Sequence, residues 1–132
     1  PALIRKFVEA RDSGADAVTL WGTGSASREF LYVDDCARAI LLATERYDDG
    51  EPVNLGTGRE ITIRDLAVLI AERAGFTGEL RFDPTQPDGQ PRRCVDTRRA
   101  RDSFGFAAST PLEDGLAETV RWYEESLVGA GK

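Results

Sequence analysis

Apolar positions return along this chain in two rhythms. Leu3, Ile4, Phe7 and Val8 recur at helical spacing with Arg11 on the same stripe, while Arg5, Lys6 and Glu9 lie off it. That predicts a helix over 1–12 with one buried face. Ser13-Gly14-Ala15-Asp16 ends it, and the apolar run at 17–21 predicts a strand. Gly22 and Gly24 then let the backbone turn sharply and admit a close approach. A second short apolar run, 30–33, follows Arg28 and leads to Asp34 and Asp35, either of which is expected to cap the next helix.

That helix is expected to run to about Tyr47, with Cys36, Ala39, Ile40, Leu42 and Ala43 as candidate core and Asp48-Asp49-Gly50 as the stop. Residues 53–56 read as a short strand leaving through Gly56-Thr57-Gly58. Thr62 is placed to cap a third helix, with Asp65 near its positive end, Leu66, Leu69, Ile70 and Ala74 as its stripe, and Gly75 as its close. A strand at 79–82, a Pro/Gly loop over 83–91, an extended stretch at 92–96 and a short helix at 97–104 before Gly105 come next. Thr110-Pro111-Leu112-Glu113 reads as a capping box for a last helix buried through Leu116, Val120, Tyr123 and Leu127, frayed after Val128. Short strands alternating with helices predict one α/β domain over 1–132.

Composition narrows the partners. With 132 residues and 41% hydrophobic content the chain can bury one modest core. A net charge of -6 argues against nucleic acid or an anionic membrane as the main partner. No leader pattern opens the chain, and Cys36 and Cys94 read as buried free thiols, so the expected setting is cytoplasmic. The charge is uneven, however. Six arginines (81, 92, 93, 98, 99 and 101) lie between Arg81 and Arg101 against Asp83, Asp88 and Asp96. Arg98, Arg99 and Arg101 read as a solvated helix face, while the arginines ending the long loop suit a small polyanion.

Catalytic groups are not legible here. Neither Gly22-Thr23-Gly24 nor Gly56-Thr57-Gly58 has the third glycine of a dinucleotide fingerprint, and no Walker lysine follows either turn. Tyr32, Tyr47 and Tyr123 have no lysine four residues on, and the sequence has no histidine to serve a Ser-His or Cys-His nucleophile or a zinc site of the usual kinds. Arg28 stands out because it is the only cation between Arg11 and Arg38, and its planar fork matches phosphate.

The motifs Trp21-Gly-Thr-Gly, Arg28-Glu-Phe-Leu-Tyr-Val-Asp-Asp, Val53-Asn-Leu-Gly-Thr-Gly and Pro87-Asp-Gly-Gln-Pro-Arg-Arg with Asp96 closely resemble the extended short-chain dehydrogenase/reductase family of nucleotide-sugar epimerases and dehydratases. The first and last of them narrow the resemblance to the GDP-fucose-forming branch. It implies the C-terminal substrate-binding portion of an extended Rossmann-type epimerase, the cofactor domain being absent, with 53–56 a strand that would join that domain's sheet. It also implies a reaction for the full-length protein: epimerisation of GDP-4-keto-6-deoxymannose at two carbons, then NADPH reduction of the 4-keto group. The family's cofactor loop, reductase centre, epimerase cysteine and acid/base histidine all fall outside this sequence, so the fragment is expected to be inactive and to bind no NADP(H) alone.

What the resemblance carries over is substrate grip, at positions matching Lys6, Trp21 and Arg28, with Arg93, or less favourably Arg92, as another cation. Lys6 would supply a point charge, Trp21 a wall, and Arg28 two parallel bonds to the diphosphate. Gln86 departs from relatives that carry lysine there. Other expected readings are a UDP- or dTDP-sugar enzyme with the same architecture, and a non-catalytic interaction module. A homodimer is the expected assembly, with strand swapping over 53–56 a further option.

Overall fold

In a computed structural model describing residues 1–130, helix α1 (Ala2–Asp12) buries Ile4, Phe7 and Val8, the stripe its spacing predicts. Strand β1 (Ala17–Trp21) alternates, with Val18 and Leu20 buried and Thr19 and Trp21 outward. The other elements are β2 (Ser27–Glu29), α2 (Val33–Arg46), β3 (Glu60–Thr62), α3 (Ile63–Ala74), β4 (Glu79–Asp83), β5 (Arg92–Arg93), α4 (Arg98–Phe104) and α5 (Leu112–Ala130). Residues 131 and 132, at the end of the tail expected to fray, lie outside those described.

Two small sheets carry the chain. β1 pairs with β4 in parallel, Thr19 opposite Arg81 and Trp21 opposite Asp83. β2 is the centre of a three-stranded sheet ordered β3-β2-β5, antiparallel to β3 and parallel to β5. The main core joins α1, β1 and α3 with Phe76 and Val120, and Leu80, Phe82 and Leu116 pack against it. Arg11 ends the α1 stripe by donating to the Ala74 carbonyl at 2.7 Å and to Glu124, which pins α1 to α3 and α5. A second cluster, Ala39, Ala100, Phe104 and Phe106, lies between α2 and α4.

The predicted cap of α3 forms as a reciprocal pair. Asp65 N donates to Thr62 Oγ1 at 3.0 Å, and that hydroxyl donates to Asp65 Oδ2 at 2.6 Å. Gly75 and Gly105 close α3 and α4 in the left-handed conformation.

Several expectations are corrected. The strand after the glycine turn is the polar Ser27–Glu29, just before the apolar run, because β3 and β5 find their ladder partners there. Neither Asp34 nor Asp35 caps α2, whose N-cap is Tyr32 with no side-chain bond. Asp35 turns inward and serves the start of α5, accepting from Ser109 N at 3.0 Å and Thr110 N at 2.8 Å. α5 begins at Leu112, with the first amide bond from Gly115 to the Pro111 carbonyl. Residues 53–56, expected to join the sheet of a domain outside this chain, form no ladder among the described residues, and Val53 and Leu55 pack against the second cluster. Ile40, read as core, is 54% exposed. It belongs to a second helical stripe, Val33, Ala37, Ile40, Leu41 and Thr44, that faces outward along α2. Cys36 and Cys94 are free but half-buried.

Candidate functional site

The register of β2 and β5 sets Arg28 directly opposite Arg93. Like charges at such positions repel unless something charged or polar lies between them. Arg28 Nη1 donates to the carbonyls of Ser27 at 2.6 Å and Gln90 at 2.7 Å, and Arg93 donates to Gln90 Oε1 through Nη2 at 2.8 Å and Nε at 3.2 Å. Both guanidiniums therefore meet neutral oxygens only, and neither has a carboxylate partner among the described residues. Arg92 differs, since it is paired with Glu60 through Nε at 2.8 Å and Nη2 at 2.5 Å. The structure thus brings Arg28 and Arg93 together and commits Arg92 elsewhere. Arg98 and Arg101 are likewise paired on an exposed face, with Asp96 and Asp102.

Trp21 belongs to the other sheet, and Lys6 projects toward it from α1. Trp21 ends β1 with 71% of its surface exposed, and Lys6 reaches the same strand, donating from Nζ to the Thr19 carbonyl at 2.5 Å. The loop over 84–91 joins the two places. Asp88 Oδ1 accepts from Thr23 N at 2.6 Å and Gly24 N at 3.3 Å, and Oδ2 accepts from Thr23 Oγ1 at 2.7 Å. These bonds hold the Asp88 carboxyl below the usual range, the Thr23 hydroxyl contributing most. Gly22, at φ 78°, lets this carboxylate sit against the backbone, since a Cβ there would fall on Asp88 Oδ1. What approaches the glycine turn is therefore the chain's own side chain. Arg64 closes the far side, donating to the Thr23 carbonyl at 2.6 Å with its guanidinium 3.9 Å above the Phe82 ring.

The second glycine turn is filled the same way. Glu29 Oε1 accepts from the amides of Thr57 and, at 2.7 Å, Gly58, while Oε2 accepts from Val95 N at 2.8 Å. Burial opposes the charged form of Glu29, but the donors around it outweigh that and lower its pKa. The hydrogen bond to Glu29, with burial acting in the same direction, pushes the Cys94 thiol pKa up. A cofactor pyrophosphate does not fit either turn, since the amides it would need are spent on carboxylates.

Sequence reasoning missed Asp88, Gln90 and Glu29. Asp88 and Gln90 sit inside the quoted Pro/Gly motif, and Glu29 follows Arg28, yet nothing local says which turn each carboxylate reaches. A separate apolar cleft of about 890 Å³, lined by Ile4, Phe30, Val33, Pro111, Leu116 and Trp122 among others, contains none of Lys6, Trp21, Arg28 or Arg93. No helix among the described residues is long and apolar enough to cross a membrane, and no group of three or more possible metal ligands occurs there.

The sequence model of the NAD dependent epimerase/dehydratase family matches residues 1–56. A probable GDP-L-fucose synthase from Oryza sativa is 46% identical over 132 residues, all of this chain and 40% of that protein. A GDP-L-fucose synthetase structure from Naegleria fowleri, bound to NADP, superposes with a TM-score of 0.90 at 30% identity, over 96% of this chain and 40% of that one. A UDP-glucose 4-epimerase from Thermotoga maritima, solved with UDP-glucose, gives 0.80 at 33%, over 95% of this chain and 40% of that one. The chain thus spans about two fifths of the length of the relatives it matches. By sequence along its whole length and by fold, it belongs with the GDP-L-fucose synthases of the NAD-dependent epimerase/dehydratase family and corresponds to a part of such an enzyme.

Proposed function

We propose that this chain is the GDP-sugar-binding part of a GDP-L-fucose synthase, and that Arg28 and Arg93 grip the diphosphate. One observation carries the site: two guanidiniums at opposed register positions, both satisfied by neutral oxygens. An anion with two phosphate groups relieves their repulsion and takes two parallel bonds from each fork. Trp21, exposed at the end of its strand, supplies a wall for base or sugar, and Lys6 supplies a further charge once it leaves the Thr19 carbonyl.

The activity in this reading is that of the whole enzyme, a 3,5-epimerisation and 4-reduction of GDP-4-keto-6-deoxymannose with NADPH. NADPH would supply hydride, and it would be held by the part of the relatives that lies beyond this chain's two fifths. That remainder would also cover the outward stripe of α2 and pair with 53–56. This chain alone is expected to be inactive. Left uncovered, the α2 stripe favours self-association, in keeping with a homodimer.

Titrating the chain with GDP tests the reading. Binding should raise the melting temperature and alter tryptophan emission, and Arg28→Ala should abolish both changes. An unchanged melting curve at millimolar GDP would refute it. The resemblance to the UDP-glucose 4-epimerase favours a second reading, in which the nucleotide carries uracil. Competition of GDP against UDP separates the two. A non-catalytic interaction module predicts that no nucleotide has any effect.

A further inference from the structure

We propose that Gln90 is a positioning residue that braces Arg28 and Arg93 side by side for a diphosphate without neutralising them. This rests on the reading of the two arginines given above. Gln90 meets both forks at once, its backbone carbonyl taking Arg28 Nη1 at 2.7 Å and its side-chain oxygen taking Arg93 Nη2 at 2.8 Å. Aligning two like charges across a strand pair is unfavourable, and the usual remedy in this chain is a carboxylate. Arg92, next to Arg93 on the same strand, has that remedy in Glu60. At the opposed pair the acceptor is an amide instead, which fixes direction while leaving both positive charges available.

The loop that presents Gln90 is itself held. Asp88, two residues earlier, is bound by the Thr23 and Gly24 amides and the Thr23 hydroxyl. Its negative charge is therefore directed into the glycine turn. The Pro91 carbonyl accepts from Ser27 N at 2.9 Å, fixing the other side of Gln90 to β2. Gly89 lies under the Arg28 fork, where an added Cβ would come 3.7 Å from Nη2. Gln90 is thus pinned on both sides while its own side chain reaches across to Arg93.

The test separates bracing from mere folding, because a charge placed at Gln90 should move stability and affinity in opposite directions. Gln90→Glu keeps the size and the acceptor and adds a carboxylate between the arginines. It should leave the melting temperature equal or higher, yet weaken GDP binding by about tenfold or more in low salt. Gln90→Met, similar in size but with no oxygen, should weaken GDP binding by about threefold with little change in melting. Calorimetric titration of the two variants, Arg28→Ala and the unaltered chain with GDP reads all of this. A Gln90→Glu variant that binds GDP within twofold of the unaltered chain, while Arg28→Ala does not bind, overturns the brace and leaves the site standing. A Gln90→Glu variant that melts lower also overturns it. If the unaltered chain fails to bind GDP, or Arg28→Ala binds as well as it does, the site and the brace fall together.

Discussion

Glu29 lies beneath the turn that begins at Gly56, so closely that a Cβ on that glycine would fall on Glu29 Oε1 and come within 2.5 Å of Val95 Cγ2. The glycine is needed for space and not for its torsion, since its φ is not positive. Through this contact the central strand β2 holds the 56–58 turn on one side and the start of the 94–97 segment on the other.

Gly56→Ala should therefore cost roughly 1–3 kcal/mol, the usual range for overpacking a closed site. Urea denaturation would measure it. A cost below about 0.5 kcal/mol would mean that Glu29 swings away freely, and that the turn does not depend on it.

At Gly22 both torsion and space forbid a side chain. Its φ is 78°, and the added Cβ would also stand 3.1 Å from the Asp88 Cα. Gly22→Ala should lower stability by about 1–2 kcal/mol from the backbone term alone. It should also release the 84–91 loop, which hydrogen exchange at Thr23 and Gly24 would report as lost amide protection.

Asp35 is expected to contribute to the acid limb. Burial (it is 3% exposed) disfavours its charge, but Arg38 Nη2 at 2.7 Å and the donors of Ser109 and Thr110 more than reverse this, so its carboxyl is held far below the usual range. A depressed folded pKa stabilises the fold at pH values above the unfolded one, about 3.9, and that contribution fades as pH falls below it. Asp35→Asn should lose roughly 2–4 kcal/mol at pH 7, since it leaves Arg38 without its carboxylate. The variant should also show a shallower fall in stability between about pH 4 and pH 2. Parallel acid limbs in the two proteins would show that Asp35 is not the group responsible.

On α2, Val33, Ile40 and Leu41 are 67%, 54% and 65% exposed. Ile40→Glu combined with Leu41→Glu should then change stability by less than about 1 kcal/mol while reducing concentration-dependent association. Light scattering alongside thermal melting checks both. A large loss of stability would mean that this face is packed in the folded chain.

Periodicity was enough to read α1 and α3, and an apolar run to place β1, because each depends on contacts a few residues apart. The α3 cap was legible for the same reason, with Thr62 and Asp65 three residues apart. The same reasoning failed on α2. Its two apolar faces look alike in sequence, and only the fold shows that Ala39 packs on Phe104 and Phe106 while Ile40 faces outward. Arg28 and Arg93 could be picked out singly, but their opposition is a matter of strand register across 65 residues of chain.

Composition and local spacing by themselves determined that this chain is α/β, the approximate extent of its helices though not the cap of α2, and which cations stand apart from the helical charge pairs. Tertiary structure decided where each carboxylate goes: Glu29 and Asp88 into glycine turns, Asp35 to the head of α5, and Glu60 to Arg92. The physical reason is range. An apolar stripe is set by neighbours three or four residues away, whereas a charge is satisfied by whatever donor the folded chain brings within 3 Å, from any distance along the sequence.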